Sequence, residues 1–213
     1  MGIIQGIHKT TYKSLLPLLR QWIKHNKMLY ETWRADDCPW RYNERALLSV
    51  LAGAAWRLPN GLAYEEFSNS KRKRGRRKGT YKSYSGRSDI YLVVGGQEYV
   101  AEAKHCFSGA TAKRANITSR LDAQLKQARK EIRASAAPNQ RRLAILFAIP
   151  YVRSKQRSEV ADLVDCWLTK IKEEVEYSYL AWFFAFEPYT HQVGKWIYPG
   201  IAVLIREVSR RSR

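Results

Sequence analysis

The sequence is poor in cysteine and has no long apolar segment. Its three cysteines, Cys38, Cys106 and Cys166, stand far apart among 213 residues, and no Cys-x-x-Cys pair occurs. Such spacing gives neither a zinc-ligand set nor a disulfide framework, and it favours a reducing compartment. No stretch approaches the roughly 20 apolar residues of a membrane-spanning helix, and the N-terminus lacks a signal peptide's apolar region. We therefore expect a cytoplasmic protein, intracellular or nucleoid-associated rather than secreted, with no membrane partner.

Acidic residues are also scarce in comparison with basic ones. The chain has 38 Lys and Arg against 19 Asp and Glu, which gives a formal net charge of +19. Such an excess raises the local concentration of polyanions and speeds their encounter with the protein. Nucleic acid is therefore the first candidate partner, although a ribosome-like scaffold or an anionic membrane surface fits the charge alone equally well.

The positive charge is densest between residues 71 and 79, where seven of nine residues are cationic. A segment with this charge is predicted to be a solvated loop, and Tyr81 and Tyr84 directly after it are suited to stack on bases. We predict nucleic-acid contacts from Lys71, Arg72, Lys73, Arg74, Arg76, Arg77, Lys78, Tyr81, Lys82 and Arg87. A charged loop without site-specific function is the alternative interpretation.

The pattern of apolar residues predicts alternating helices and strands. We predict helices over about 11–33, 44–56, 118–136 and 158–175, and strands over about 62–67, 143–149, 179–186 and 201–208. With the hairpin described next, this order predicts an α/β fold in which a mixed sheet is flanked by helices. We divide the chain into an N-terminal helical extension, 1–38, and one domain, 39–213.

The most informative segment runs from Ser88 to Lys104 and is typical of two strands joined by the Gly95-Gly96 turn. Counting back from a two-residue loop places Asp89 directly opposite Glu102, with Cβ atoms roughly 4.5–5.5 Å apart. Like charges this close repel, so a purely structural hairpin is expected to avoid the pair. A divalent cation between them would reverse the effect, because Mg²⁺ favours carboxylate oxygens.

Lys104 lies two residues beyond Glu102, so the alternation of a strand points both side chains to one face. One small surface would then hold two acids and one cation, the groups needed to bind a metal, a phosphate and an attacking water. The alternative is a solvent-exposed strand face on which Lys104 only neutralises Glu102.

Asp89, followed after twelve residues by Glu102-Ala103-Lys104, resembles the active-site signature of the PD-(D/E)XK nuclease superfamily. Ser88 stands where the name-giving Pro of that family would be. The resemblance covers roughly residues 40–208 as an order of elements and implies a restriction-endonuclease-like fold. It also implies a catalytic site at Asp89, Glu102 and Lys104.

The resemblance further implies that Mg²⁺ or Mn²⁺ is held by Asp89 and Glu102, joined by the backbone carbonyl of Ala103. Glu44 resembles the additional metal-binding Glu that many members carry on a preceding helix. Gln124 lies on the helix after the motif, from which related nucleases place a Gln near the metal. The alternatives are an acid favoured by a helix N-terminus for Glu44 and an ordinary helix-edge amide for Gln124.

The sequence therefore predicts a metal-dependent nuclease, a phosphodiesterase that acts on DNA in preference to RNA. Lys104 is expected to stay protonated beside two carboxylates and to position charge rather than act as a base. An endonuclease that cuts both strands needs two sites, which a homodimer would supply. The alternatives are a basic nucleic-acid-binding protein without activity, a structural or RNA-associated protein, and a nuclease specific for branched DNA junctions.

Overall fold

The computed structural model describes residues 2–10, 13–33, 37–74, 80–135, 139–186 and 191–209. Four α-helices and nine strands follow one another in these residues. Their bounds in chain order are β1 Ile3–Lys9, α1 Leu16–Trp33, α2 Glu44–Trp56, β2 Leu62–Arg74, β3 Tyr81–Val94, β4 Gln97–Gly109, α3 Arg114–Ile132, β5 Arg141–Arg153, α4 Val160–Glu174, β6 Tyr179–Ala185, β7 Gln192–Val193, β8 Trp196–Ile197 and β9 Gly200–Val208. None of the helices among these residues is long and apolar enough to cross a membrane.

One large sheet organises the molecule, with the strand order β1-β6-β9-β5-β4-β3-β2 and the small β7–β8 hairpin attached to β5. β4 and β5 are parallel and are joined through α3, whereas the other neighbouring strands are antiparallel. The predicted α/β class with a mixed sheet is confirmed. The parallel placement of β5 agrees with its long apolar run, since parallel strands are covered on both faces.

Helices cover both faces of the sheet. On one face α1 and α2 bury apolar residues such as Leu19, Trp22 and Leu51, and on the other α3 and α4 bury residues such as Leu125 and Trp167. All seven residues of β6 are buried, because this strand lies inside the sheet under helices on both sides. Removal of this apolar area from water is the main stabilising contribution to the fold.

The N-terminal segment is not purely helical, in contrast to the prediction from its sequence. Residues 3–9 form β1, which pairs antiparallel with β6, and α1 contributes to the same apolar cluster as α2 and the sheet. The seven residues of β1 are too few for a clear periodic signal. Their partner strand lies near the other end of the chain, so only the tertiary fold reveals the pairing.

The basic segment was predicted as a loop, but residues 71–74 continue strand β2. β2 and β3 form a long antiparallel ribbon from the pair Leu62–Val93 to the pair Arg74–Tyr81. Lys71 also forms a bridge with Ser135, whereas Lys82 on β3 is exposed and keeps its charge in water. Residues 75–79, which complete the basic segment, lie outside the described residues.

The ribbon contains one local defect at Glu66, whose φ of 52° lies in the left-handed region. The pairs Glu65–Ile90 and Phe67–Ser88 are in register, but the pair between them is missing. A left-handed non-glycine residue in a strand costs roughly 1–2 kcal/mol. It also reverses the facing of the strand beyond it, so that Phe67 packs on the α3 side of the sheet.

Replacement of Glu66 by glycine is expected to cost less stability than replacement of Glu65, by about 1–2 kcal/mol, since only Glu66 has a left-handed backbone. Both side chains are exposed and both make polar contacts to α2, so Glu65→Gly is a matched control. Urea unfolding of the two variants measures the difference. Equal losses would show that no strain is stored at Glu66.

Candidate active site

The hairpin predicted from the Gly95-Gly96 turn has the predicted register. Five residue pairs, from Val94–Gln97 to Ile90–Ala101, form the β3–β4 ladder. The ladder ends one pair before the candidate site, and Asp89 Oδ2 accepts a hydrogen bond of 2.7 Å from the backbone N–H of Ala103. The Asp89–Glu102 strand pair that we predicted is therefore not part of the ladder. The Asp89 carboxylate accepts the hydrogen bond of the Ala103 N–H in place of a backbone carbonyl.

Asp89 lies where β3 diverges from β4, and its surroundings work against its charge. Burial raises the pKa of Asp89; the Ala103 N–H and Lys104 lower it, but the charges of Glu44 and Glu131 act with burial, and the net direction is upward. The Asp89 carboxylate is thus held in a position where its charged form is less favoured than in water.

Glu102 is almost fully buried, and its carboxylate contacts Lys71 of β2. Glu102 Oε1 lies 2.8 Å from Lys71 Nζ, and the two side chains are 5% and 14% exposed. Burial raises the pKa of Glu102, Lys71 lowers it through the hydrogen bond, and the charge of Asp89 raises it again, so the net direction is upward. Lys71, which we predicted as a nucleic-acid contact, forms an ion pair with this acid in the structure.

Lys104 is held by two acceptors. Its Nζ lies 2.8 Å from Glu131 Oε2 and donates a hydrogen bond of 2.8 Å to the carbonyl of Ala103. Burial lowers the pKa of Lys104, but the Glu131 hydrogen bond and the charges of Glu44, Glu131 and Asp89 raise it more, and the net pKa is raised. The ammonium form is favoured at neutral pH.

Glu131, near the end of α3, was not identified from the sequence. Burial raises its pKa, but Lys104 and the Gln127 side chain lower it below its ordinary value, and Gln127 Nε2 donates to Glu131 Oε1. Among the described residues, the predicted Gln124 makes no hydrogen bond to Asp89, Glu102 or Lys104. The amide that contacts the site is one turn away, at Gln127, and the four-residue spacing from Gln127 to Glu131 was the available signal.

Glu44 begins α2, which Asn43 caps by accepting a hydrogen bond of 3.1 Å from the Ala46 N–H. Glu44 Oε2 lies 3.8 Å from His105 Nδ1, so its nearest ionic partner is on the α2 side of the sheet. The charge of Glu44 nevertheless reaches both Asp89 and Lys104, whose pKa values it raises. Strand alternation directs His105 away from Lys104, and Glu44 lies on the side to which His105 points.

The donor chemistry of the site fits a hard divalent cation. The negative charge of Asp89 raises the pKa of Glu102. Carboxylate and carbonyl oxygens are the ligands that Mg²⁺ prefers. Within the described ranges, no group of three or more His, Cys, Asp or Glu side chains is arranged to hold a metal. The predicted ligand oxygens of Asp89, Glu102 and Ala103 accept hydrogen bonds from the Ala103 N–H, Lys71 and Lys104 respectively.

The remaining predicted nucleic-acid contacts lie on the ribbon. Lys82 and Arg87 are exposed, and Arg87 Nη1 is 3.5 Å from Glu66 Oε2. The side chains of Arg72, Lys73, Arg74 and Tyr81, and residues Arg76, Arg77 and Lys78, lie outside the described part of the structure.

A row of aromatic rings beside the ribbon was also missed in the sequence. Tyr64 stacks on Tyr91 at 6.1 Å between ring centroids, Tyr91 on Phe67 at 4.9 Å, and Trp56 meets Tyr64 edge-on. Trp56 and Tyr64 are about half exposed. Their spacing in the sequence shows no pattern, because the row joins α2, β2 and β3 only in the fold.

Comparison with known proteins gives no relative for this chain. No protein-family model, curated protein or solved structure matches it. The geometry and electrostatics of the site itself are therefore what indicates the function.

Proposed function

We propose that this chain is a divalent-metal-dependent nuclease that hydrolyses phosphodiester bonds of DNA as an endonuclease. The observation that carries the proposal is the juxtaposition of Asp89, Glu102 and Lys104 at the point where β3 leaves β4. Two carboxylates with raised pKa values beside a firmly charged ammonium form a costly arrangement for a surface without function.

The order of elements supports the same proposal. α2 precedes a meander of β2, β3 and β4, and α3 then leads to β5, which runs parallel to β4. This is the order expected for the restriction-endonuclease-like fold of the PD-(D/E)XK nucleases, which we propose for the region from α2 onward.

In the proposed reaction, Asp89, Glu102 and the Ala103 carbonyl would hold Mg²⁺ or Mn²⁺, and Glu44 would contribute negative charge nearby. When bound, such an ion would supply a water of lowered pKa and would compensate charge on the phosphodiester. Lys104 keeps its proton and places positive charge beside the phosphate. Glu131 holds Lys104 in one orientation, and Gln127 holds Glu131. Lys104 is therefore already oriented before a phosphate binds.

DNA is the proposed substrate because the charge of +19 favours polyanions and the ribbon carries exposed cations next to the site. Backbone contacts of this kind bind without sequence preference and weaken steeply as salt rises. The half-exposed Trp56 and Tyr64 add ring surfaces on which bases can stack.

A nucleic-acid-binding protein without activity is the second candidate. It is favoured by the ion pairs Lys71–Glu102 and Lys104–Glu131, which already neutralise two acids of the site. It is also favoured because no three His, Cys, Asp or Glu side chains among the described residues are arranged to hold a metal. This candidate predicts salt-sensitive binding that is independent of metal.

The deciding experiment incubates supercoiled plasmid, linear duplex, single-stranded DNA, a four-way junction and RNA with the protein in Mg²⁺, Mn²⁺ or EDTA. Metal-dependent cleavage is expected, and Asp89→Ala or Lys104→Ala should lower its rate about a thousandfold, since several kcal/mol of transition-state stabilisation is lost.

Glu98→Ala is the matched control for this experiment, because Glu98 lies on the same strand near the turn and is exposed. It should cleave at the wild-type rate. Salt-sensitive binding by all four proteins, with no cleavage of any substrate in either metal, would contradict the nuclease and favour the binding protein.

A further inference from the structure

A cavity of about 660 Å³ opens at the end of the sheet where β5 begins and β9 ends. It lies beyond the last turn of α3, away from Lys104. Six of the residues that line it are charged: Arg129, Arg141, Arg142, Arg206, Glu176 and Glu207.

The charge of this lining is unbalanced. Four guanidinium groups face two carboxylates, which leaves a net charge of +2 on these six residues. Arg141 pairs with Glu207 and Arg206 with Glu176. Glu176 is a loosely held partner, because its side chain is 73% exposed while that of Arg206 is only 16% exposed. A ligand anion can therefore replace Glu176 with little loss.

Arg129 carries a buried donor that the described part of the protein leaves unsatisfied. Its Nε is shielded from solvent and has no hydrogen-bond partner among the described residues. Burial lowers the pKa of Arg129, and the charges of Arg206 and Arg133 lower it further. A buried donor without an acceptor is costly, and an anion bound by the Arg129 guanidinium would offset the repulsion from Arg206 and Arg133.

The geometry of the sheet places Arg206, which lines this cavity, on the same face as Glu102 of the candidate active site. Arg206 of β9 is directly opposite Ala144 of β5, and Ala144 is directly beside Glu102 of β4. Two strand spacings separate Arg206 from Glu102, which corresponds to about 10 Å between their backbones. The last turn of α3 lies between the two sites and carries Arg129 toward one and Glu131 toward the other.

We propose that this cavity binds a phosphate group, with Arg129 and Arg206 as its principal ligands. Guanidinium groups suit this anion, because their planar forks donate paired hydrogen bonds to phosphate oxygens. The phosphate is either a free ion or monoester, or a phosphate of a nucleic-acid strand. The binding itself does not depend on the proposed nuclease activity.

The test measures binding of inorganic phosphate by calorimetry in EDTA at low ionic strength, so that turnover plays no part. Wild-type protein should bind one phosphate per chain, and Arg129→Gln or Arg206→Gln should weaken the affinity about tenfold, the loss expected for a charge-assisted hydrogen bond. Arg45→Gln is the matched control: it removes the same charge from a well-solvated position on α2 and should leave the affinity unchanged.

A second variant protects the test against loss of folding, since Arg206 is largely buried. Glu176→Gln removes the exposed competitor of the anion and should tighten phosphate binding a few-fold. Equal affinities of wild type, Arg129→Gln and Glu176→Gln, or no saturable binding at all, would overturn the proposal.

The source of the phosphate is decided by competition. A short single-stranded oligonucleotide, with and without a terminal phosphate, is added to the phosphate complex. Displacement that is lost in Arg129→Gln assigns the cavity to a strand phosphate. Retained phosphate binding without displacement assigns it to a free ion or monoester, and both results support the site. Failure of metal-dependent cleavage would leave these binding results unaffected.

Discussion

Lys71→Met should lower the free energy of unfolding by about 3–5 kcal/mol, the cost of leaving a buried carboxylate without its partner. Glu102 is 5% exposed and Lys71 14%, so water cannot readily replace the lost ammonium. Urea unfolding in EDTA at neutral pH measures the change. Because Glu102 would then be stabilised only by taking up a proton, the loss should shrink as the pH falls.

Two controls isolate the buried pair. The double variant Lys71→Met with Glu102→Gln should recover most of the stability, because the uncompensated charge is removed. Lys27→Met breaks an exposed i,i+4 pair with Glu31 and should cost less than about 0.5 kcal/mol. If Lys71→Met were as mild as Lys27→Met and weakened DNA binding instead, Lys71 would be the solvated nucleic-acid contact that the sequence predicted.

Lys71 also shows why part of this site was not predictable. The charge run at 71–79 predicts a solvated segment, but the left-handed residue Glu66 changes the facing of β2 and turns Lys71 inward. No propensity favours glutamate in that conformation. The position is imposed by the surrounding sheet, and a local pattern therefore assigns Lys71 to solvent.

The β3–β4 hairpin was predictable because its signals are local and agree with one another. The Gly95-Gly96 turn fixes the register, and alternation then determines which side chains share a face. The strand β5 was predictable from its continuous apolar run, which is typical of a strand covered on both faces. These elements place Asp89, Glu102 and Lys104 near one another without knowledge of the tertiary fold.

Glu131 and the aromatic row depend on how separate elements pack. Glu131 reaches Lys104 because α3 returns across the sheet between β4 and β5. The position of that helix along its axis decides whether Gln124 or Gln127 contacts the site. Gln124 and Gln127 lie on nearly the same helix face, so a displacement of about one turn along the helix axis is enough to exchange them. The apolar pattern of α3 indicates which face of the helix is buried. It does not indicate where along the sheet each residue of that face lies.

Asp89→Asn should change stability and activity in opposite directions. The amide keeps an oxygen that can accept the Ala103 N–H bond, but it removes a charge whose pKa is raised by burial and by neighbouring acids. In EDTA at neutral pH, the variant should therefore unfold at a higher temperature than the wild type. Cleavage with Mg²⁺ should fall about a thousandfold, because several kcal/mol of charge stabilisation is lost.

The stability difference between Asp89→Asn and wild type should depend on pH. A carboxyl with a raised folded-state pKa binds its proton more tightly in the folded protein than in the unfolded chain, so it favours folding at low pH. That contribution is lost as the pH rises through the raised pKa. The stability advantage of Asp89→Asn over wild type should thus be largest at neutral pH and should shrink toward acid pH.

The alternative interpretation of the site makes the opposite prediction. If Asp89 were only a structural cap, its charge-assisted bond to the Ala103 N–H would stabilise the fold, and Asp89→Asn would lower the melting temperature at neutral pH. A stable variant without cleavage instead means that the protein accepts an unfavourable carboxylate at this position. A carboxylate that lowers the stability of the fold is expected where it must bind a cation next to a phosphate.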